Sequence, residues 1–250
     1  MECTKYRRSP LTRVILHVTF PQLLGLSENK PPDEFQKAIN EEFPYMNIRK
    51  GHDVSVDLTP ATPVINRKEN IVWEFRSRDS SKYVYANEKS LQIQFIKYDN
   101  FEEFLEIVEF VFNTFREMYP INVFKIGLRY INEVKIEDAS DPREWNGLIK
   151  ESLIATEKFV SNEDNVIRSM HVLEVNEDDY KLRFQSGLFN SNYPNSIIDK
   201  EFILDYDCVS IEELGKKEFH PTVVRFHKII KKWFEDSIED ELRDKLGCEK

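Results

Sequence analysis

The sequence predicts an α+β protein, antiparallel sheets with long helices packed on one face, and three features predict it. Runs alternating between polar and apolar residues follow one another across loops of about four residues, which joins them antiparallel. Two long segments carry apolar stripes at helical spacing, and the order of element types occurs twice along the chain.

The first strand runs from Arg13 to Phe20, with Val14, Leu16, Val18 and Phe20 on one face and Arg13, His17 and Thr19 on the other, and Pro21 ends it. Pro31 and Pro32 introduce a short helix whose stripe is Phe35, Ile39 and Phe43, stopped by Pro44. A strand near Val54 to Leu58 and a loop through Pro60 and Pro63 precede a meander. Its runs are Ile71, Trp73 and Phe75, then Tyr83 and Tyr85, then Leu91, Ile93 and Phe95. Asn100 with Glu103 three residues on is the signature of a helix start, and the helix it opens carries Phe101, Phe104, Leu105, Val108, Val111, Phe112 and Phe115.

Beyond Pro120 the order resumes. Phe124, Ile126, Leu128, Tyr130, Val134 and Ile136 mark a long strand interrupted by Asn132. Asp141-Pro142 predicts a helix to about Lys158. Strands are expected over Arg168–Asn176, Tyr180–Leu188 and Phe202–Val209. Pro221 is expected to open a last helix striped by Val223, Phe226, His227, Ile230, Phe234, Ile238 and Leu242, with His220 as its N-cap. The expected organisation is two similar β-α-β(3–4)-α halves, 1–119 and 120–250, forming one continuous pseudo-symmetric unit. That order is the one used by TATA-binding-protein-like and helix-grip folds.

A chain of 250 residues with 40% hydrophobic side chains can bury a core without metals. A formal net charge of −10 argues against nucleic acid as a partner, because sequence-independent binding needs a positive surface. The basic residues Lys228, Lys231 and Lys232 are followed by Glu235, Asp236, Glu239, Asp240 and Glu241, a mixed and solvated helix face. No stretch is apolar enough for a membrane span, and the basic start, Met1 to Arg8, lacks the apolar core of a signal peptide. Cys3, Cys208 and Cys248 are odd in number and far apart, which argues against a disulfide framework and against a zinc site. A cytoplasmic location follows as the expectation.

No P-loop, G-x-G-x-x-G, G-x-S-x-G or H-E-x-x-H motif is present, so neither a cofactor nor a metal is expected and no catalytic residue is assigned. The candidates for ligand binding are Arg129, Tyr130, Asn132, Asp205, Asp207 and His227. Asp205 and Asp207 lie at i and i+2 on one strand, pointing the same way, a spacing of about 7 Å that suits a divalent cation, an acid–base pair or partners for basic side chains. Arg129 shares a face with Lys125, Glu133 and Lys135, whereas Asn132 breaks an apolar face. Such breaks occur at bulges and at functional sites. His227 falls within an apolar stripe, where a core histidine needs a hydrogen-bonded nitrogen.

Ser9-Pro10-Leu11, Gly127-Leu128-Arg129-Tyr130-Ile131-Asn132, Leu204-Asp205-Tyr206-Asp207 and the last helix with His227, Phe234 and Ile238 resemble a sporadically distributed family of uncharacterised prokaryotic proteins. The resemblance covers nearly the whole chain and rests most on Gly-Leu-Arg-Tyr-Ile-Asn. It implies a patchily distributed, mobile gene, suited to defence, counter-defence or toxin control, and it names no reaction. Tyr206 stands where the family pattern has a smaller aliphatic residue.

Residues and resemblance together lead to the expectation of a non-enzymatic binding protein that recognises a protein or a small ligand. The alternatives are a divalent-cation-dependent hydrolase using Asp205 and Asp207, with His220 as a further group, and a nucleic-acid-binding saddle. Trp73, Tyr83, Tyr85 and Phe189 to Tyr193 could supply the surface of a homodimer or belong to the core.

Overall fold

The computed structural model describes residues 3, 5–23, 26, 31–57, 64–137, 141–211 and 218–249. Among them the order is β1 (Lys5–Tyr6), β2 (Leu11–Thr19), α1 (Asp33–Ile39), β3 (Tyr45–Asp57), β4 (Val64–Arg76), β5 (Lys82–Ala86), β6 (Ser90–Phe95) and α2 (Phe101–Met118). There follow β7 (Lys125–Ile136), α3 (Glu151–Ile154), β8 (Ser169–Asn176), β9 (Tyr180–Leu188), β10 (Lys200–Ser210), α4 (Phe219–Ser237), α5 (Asp240–Leu246) and β11 (Cys248–Glu249). The protein is α+β with antiparallel strand pairing, as the alternating runs predict. Among the described residues no helix is long and apolar enough to cross a membrane.

The chain divides into two compact units, one of Ile15–Ile126 with Glu213–Glu218, the other of Met1–Val14, Gly127–Glu212 and Phe219–Lys250. The division differs from a cut at residue 119, because the first residues pair with the end of the chain. β1 pairs antiparallel with β11, and Arg7 and Arg8 N–H donate to the Gly247 and Leu246 carbonyls.

In the unit of Ile15–Ile126 the strands follow the order β3-β4-β5-β6-β2. The meander forms because short loops bring consecutive alternating runs together, and the residues on one face, Val84, Leu91, Ile93 and Phe95 among them, are buried. Asn100 caps α2, its Oδ1 accepting from the Glu103 N–H at 2.8 Å. The predicted stripe is buried at Phe104, Val108, Val111, Phe112 and Phe115. Phe35 of α1 meets Phe75 and Phe115 edge to face at 5.5 and 5.3 Å, an arrangement favoured by the ring quadrupoles. Trp73, one of the aromatics offered for a dimer surface, is 3% exposed and belongs to this core.

In the other unit β7, β10, β9 and β8 lie side by side, with the start of β2 along β7. α4 covers one face. Its Val223, Phe226, Ile230 and Phe234 are buried, Trp233 meets Phe184 at 5.7 Å, and Phe184 stacks on Tyr206 at 4.8 Å. Tyr206 Oη donates to Ser237 Oγ, which donates to the Trp233 carbonyl, tying the end of the helix to the centre of β10.

Four expectations are corrected here. Asp141 to Lys158 does not form one helix: α3 takes only Glu151–Ile154 of it, and before α3 the chain turns through Gly147 in a left-handed conformation, φ 75°. Ile149 forms an antiparallel bridge to Ile238, the Lys150 N–H donates to the Ser237 carbonyl and the Glu239 N–H to the Leu148 carbonyl. The same bridge engages the Ser237 carbonyl and the Glu239 N–H at the end of α4, so the stripe from Val223 to Leu242 divides into α4 and α5 rather than one helix. His220 lies within the first turn of α4, not at its cap.

The fourth correction concerns the cysteines: Cys3 and Cys248 form a disulfide with Cα atoms 5.6 Å apart. The spacing rule failed because the two ends of the chain are brought together by β1 and β11, and nothing in a local motif records that pairing. The cysteine argument for a cytoplasmic location falls with it. The strand expected near Val54 to Leu58 is the end of a longer β3, and Leu58, Pro60 and Pro63 lie outside the described residues.

Closing a loop of 245 residues restricts the unfolded chain, so Cys3→Ser is expected to lower stability by about 5 kcal/mol in urea unfolding without reductant. Reductant should bring the wild-type protein down to the same curve and leave the variant unmoved.

Candidate functional site

β10 has two unlike faces because side chains alternate along a strand. Phe202, Leu204, Tyr206 and Cys208 turn to the side of α4 and are fully buried. Asp205 and Asp207 turn to the other side. Register then sets their neighbours: Asp205 stands opposite Ile131 of β7 and Gln185 of β9, while Asp207 stands between two arginines, opposite Arg129 of β7 and Arg183 of β9.

The arginines do not serve the carboxylate they face. Arg129 reaches diagonally and grips Asp205 with both prongs, Nε to Oδ1 at 2.8 Å and Nη2 to Oδ2 at 2.6 Å. Gln185 Nε2 donates to the same Oδ2 at 3.2 Å. Asp205, only 5% exposed, is thereby paired and hydrogen-bonded as a buried charge must be. The hydrogen bonds from the Arg129 fork to Asp205 also raise the guanidinium's pKa. Arg183 leans towards Glu174, its Nε 3.6 Å from Oε1.

Asp207 is left with the arginines' fields but not their hydrogen bonds. Partial burial pushes its carboxyl above the ordinary value, Arg129 and Arg183 pull it down, and Asp205 adds repulsion. It opens on a groove of about 540 Å³ whose wall also includes Glu174, Lys181, Arg183 and Val209. The face offers a partner one carboxylate seeking a donor and, beside it, two cationic side chains.

The sequence candidates therefore occupy two places. Arg129, Asp205 and Asp207 come together on the face turned away from α4. Tyr130, Asn132 and His227 lie on the α4 side. Tyr130 Oη and His227 Nδ1 are 2.8 Å apart, and Tyr130 is 6% exposed. Asn132 breaks the apolar face because its Nδ2 donates to the Leu204 carbonyl at 3.0 Å, a buried bond across to β10. Burial pushes the Cys208 thiol up to about 12, so this buried free cysteine is no nucleophile.

Gln185, Arg183 and Lys181 were missed, although their alternation along β9 is visible. Only the register shows that they flank the carboxylates. Among the described residues no group of three His, Cys, Asp or Glu side chains stands close enough to hold a metal ion. No protein-family model matches the chain, and no curated protein matches it at a significant level.

Removing Asp205 strands a half-buried arginine. Asp205→Ala is expected to cost about 2 kcal/mol, less than the loss of a fully buried pair because Arg129 keeps about a third of its side chain in water. Asp207→Asn should act in the opposite sense. A carboxyl whose pKa is raised by folding is penalised in its ionised form, so the penalty is present at neutral pH and absent below the unfolded value of 3.8. The variant should be more stable than wild type at pH 7, with the difference closing as pH falls from the raised folded-state value towards 3.8 in urea titrations.

Proposed function

We propose that this is a binding protein, and that its ligand or partner docks on the face of β7, β10 and β9 turned away from α4, around Asp207. The observation that carries the reading is the charge arithmetic of that face: Asp205 is held by Arg129 and Gln185, and Asp207, between two arginines, has neither. A polar small molecule, or a loop of another protein, that donates a hydrogen bond to Asp207 and accepts one from Lys181 or Arg183 would complete the face. The prokaryotic family resemblance adds a setting, defence or toxin control, in which such a partner would be a protein.

A cation-dependent hydrolase draws less support. Both Asp205 oxygens are engaged by the guanidinium, and a cation bridging Asp205 and Asp207 would have to displace it. Mg²⁺ and Mn²⁺ are expected to leave the melting temperature unchanged. A cation saturating such a site at a hundred times its Kd would add about 2.7 kcal/mol.

Native mass spectrometry of the protein purified from its own host under non-denaturing conditions tests the binding reading. A retained small molecule or stoichiometric partner that is lost from Asp207→Ala and Arg183→Ala, with melting temperature maintained, is the expected result. A bound species retained equally by both variants would overturn the placement. A bare protein that turns over nucleotides would overturn the class.

A further inference from the structure

β8 is the outer strand of its unit: it pairs with β9 on one side, and among the described residues no strand lies along the other. The hairpin joining it to β9 fixes which of its backbone groups face outward. The Glu177 N–H donates to the Tyr180 carbonyl at 2.9 Å, so these two residues form a hydrogen-bonded pair. Such pairs recur at every second residue of an antiparallel ladder, and the register is unbroken back to Ser169 opposite Leu188. Val175, Leu173 and His171 therefore turn their N–H and C=O groups to β9. Asn176, Glu174, Val172 and Met170 turn theirs outward.

Natural proteins guard an edge of this kind with Lys, Pro, a bulge or a very short strand. β8 has eight residues, none of them Lys or Pro, and no bulge interrupts its register. Its centre carries two aliphatic side chains, one on each face: Val172 is 54% exposed and Leu173 50%. Its one carboxylate, Glu174, already stands near Arg183. An edge with these properties is a template for a further strand.

The sequence of β8 is complementary to itself. A two-fold axis perpendicular to a sheet pairs an edge strand antiparallel with its own copy and keeps each face continuous. Centred on Leu173, the pairing sets Val172 opposite Glu174 of the second copy and Met170 opposite Asn176, all of them residues with outward backbone groups. Leu173 meets its counterpart at a non-hydrogen-bonded position, where side chains come closest. Arg168, just before the strand, comes opposite Asp178, just after it, and the symmetry makes that ion pair twice. Both residues are exposed, and among the described residues neither has an ion-pair partner. The Arg168 guanidinium is held at the end of the edge by the rings of Phe189 and Tyr193, 5.7 and 5.3 Å away. Other centres fit less well: Val172 sets Arg168 opposite Asn176, Glu174 sets two like charges side by side, and His171 leaves Asn176 outside the overlap. We propose that a second copy of this chain docks on β8, making a homodimer whose two-fold axis passes between the Leu173 residues.

Sedimentation velocity of the full chain over a concentration series tests the proposal, and a reversible monomer–dimer equilibrium is expected. Arg168→Asp or Asp178→Arg alone turns two attractions into two repulsions and should raise the dimer Kd about tenfold. The double variant restores both pairs with reversed sign and should return the wild-type Kd. Leu173→Cys should give a disulfide-linked dimer with oxidised glutathione, whereas Val172→Cys, opposite Glu174, should not. All four positions are exposed, so the fold does not depend on them. A monomer at every concentration would overturn the proposal. So would a dimer that ignores both charge reversals and is not linked through Leu173→Cys, since its interface would lie elsewhere. Asp207 is not altered in any of these variants, so failure here leaves the binding face standing.

Discussion

A carboxylate buried in the middle of a sheet is the constraint on which one unit of this protein is arranged. Asp205 is 5% exposed on β10, a strand with neighbours on both sides. An uncompensated charge there would unfold the unit or lose its ionisation, so the adjoining strands must supply donors at fixed positions. β7 supplies Arg129 and β9 supplies Gln185. A slip of either strand by one residue would carry these side chains to the α4 face and leave Asp205 bare. The pair thus adds to the register already imposed by the apolar face, where Phe184 stacks on Tyr206 and Tyr206 holds Ser237 of α4.

The price of that arrangement falls on Asp207. Its directly facing arginine is turned one step along the strand to Asp205, and the arginine on its other side leans towards Glu174. A fold under selection for stability alone could replace Asp207 by a neutral residue and lose nothing visible in the structure. Its raised pKa follows from burial, and burial without a hydrogen bond is the condition under which a bound donor contributes most.

Legibility in the sequence tracked how local each cause is. Asn100 and Glu103 specify the start of α2 within four residues, and the spacing of Phe104, Val108, Val111 and Phe115 specifies its buried face, so both were readable. The alternation that sends Asp205 and Asp207 to one side and Tyr206 to the other was equally local. Asp141–Lys158 was misread because what decides it is distant: the bridge from Ile149 to Ile238 competes with the helix for the same backbone groups. The Cys3–Cys248 bond is the extreme case, set by the pairing of the two ends of the chain.

For the candidate site the same rule separates residue from role. Arg129, Asp205 and Asp207 could be picked out as charges on strands, but whether Arg129 serves the carboxylate opposite or the diagonal one depends on a register the sequence does not print. Reading the pair of aspartates as equivalent, a cation clamp or an acid and base, assumed symmetrical surroundings. The strands on either side make them unequal: one is a structural anion with three hydrogen bonds, the other a carboxylate with none from the described residues. That inequality moves the chemistry from metal binding to recognition, because a clamp needs two available carboxylates and a recognition face needs only one.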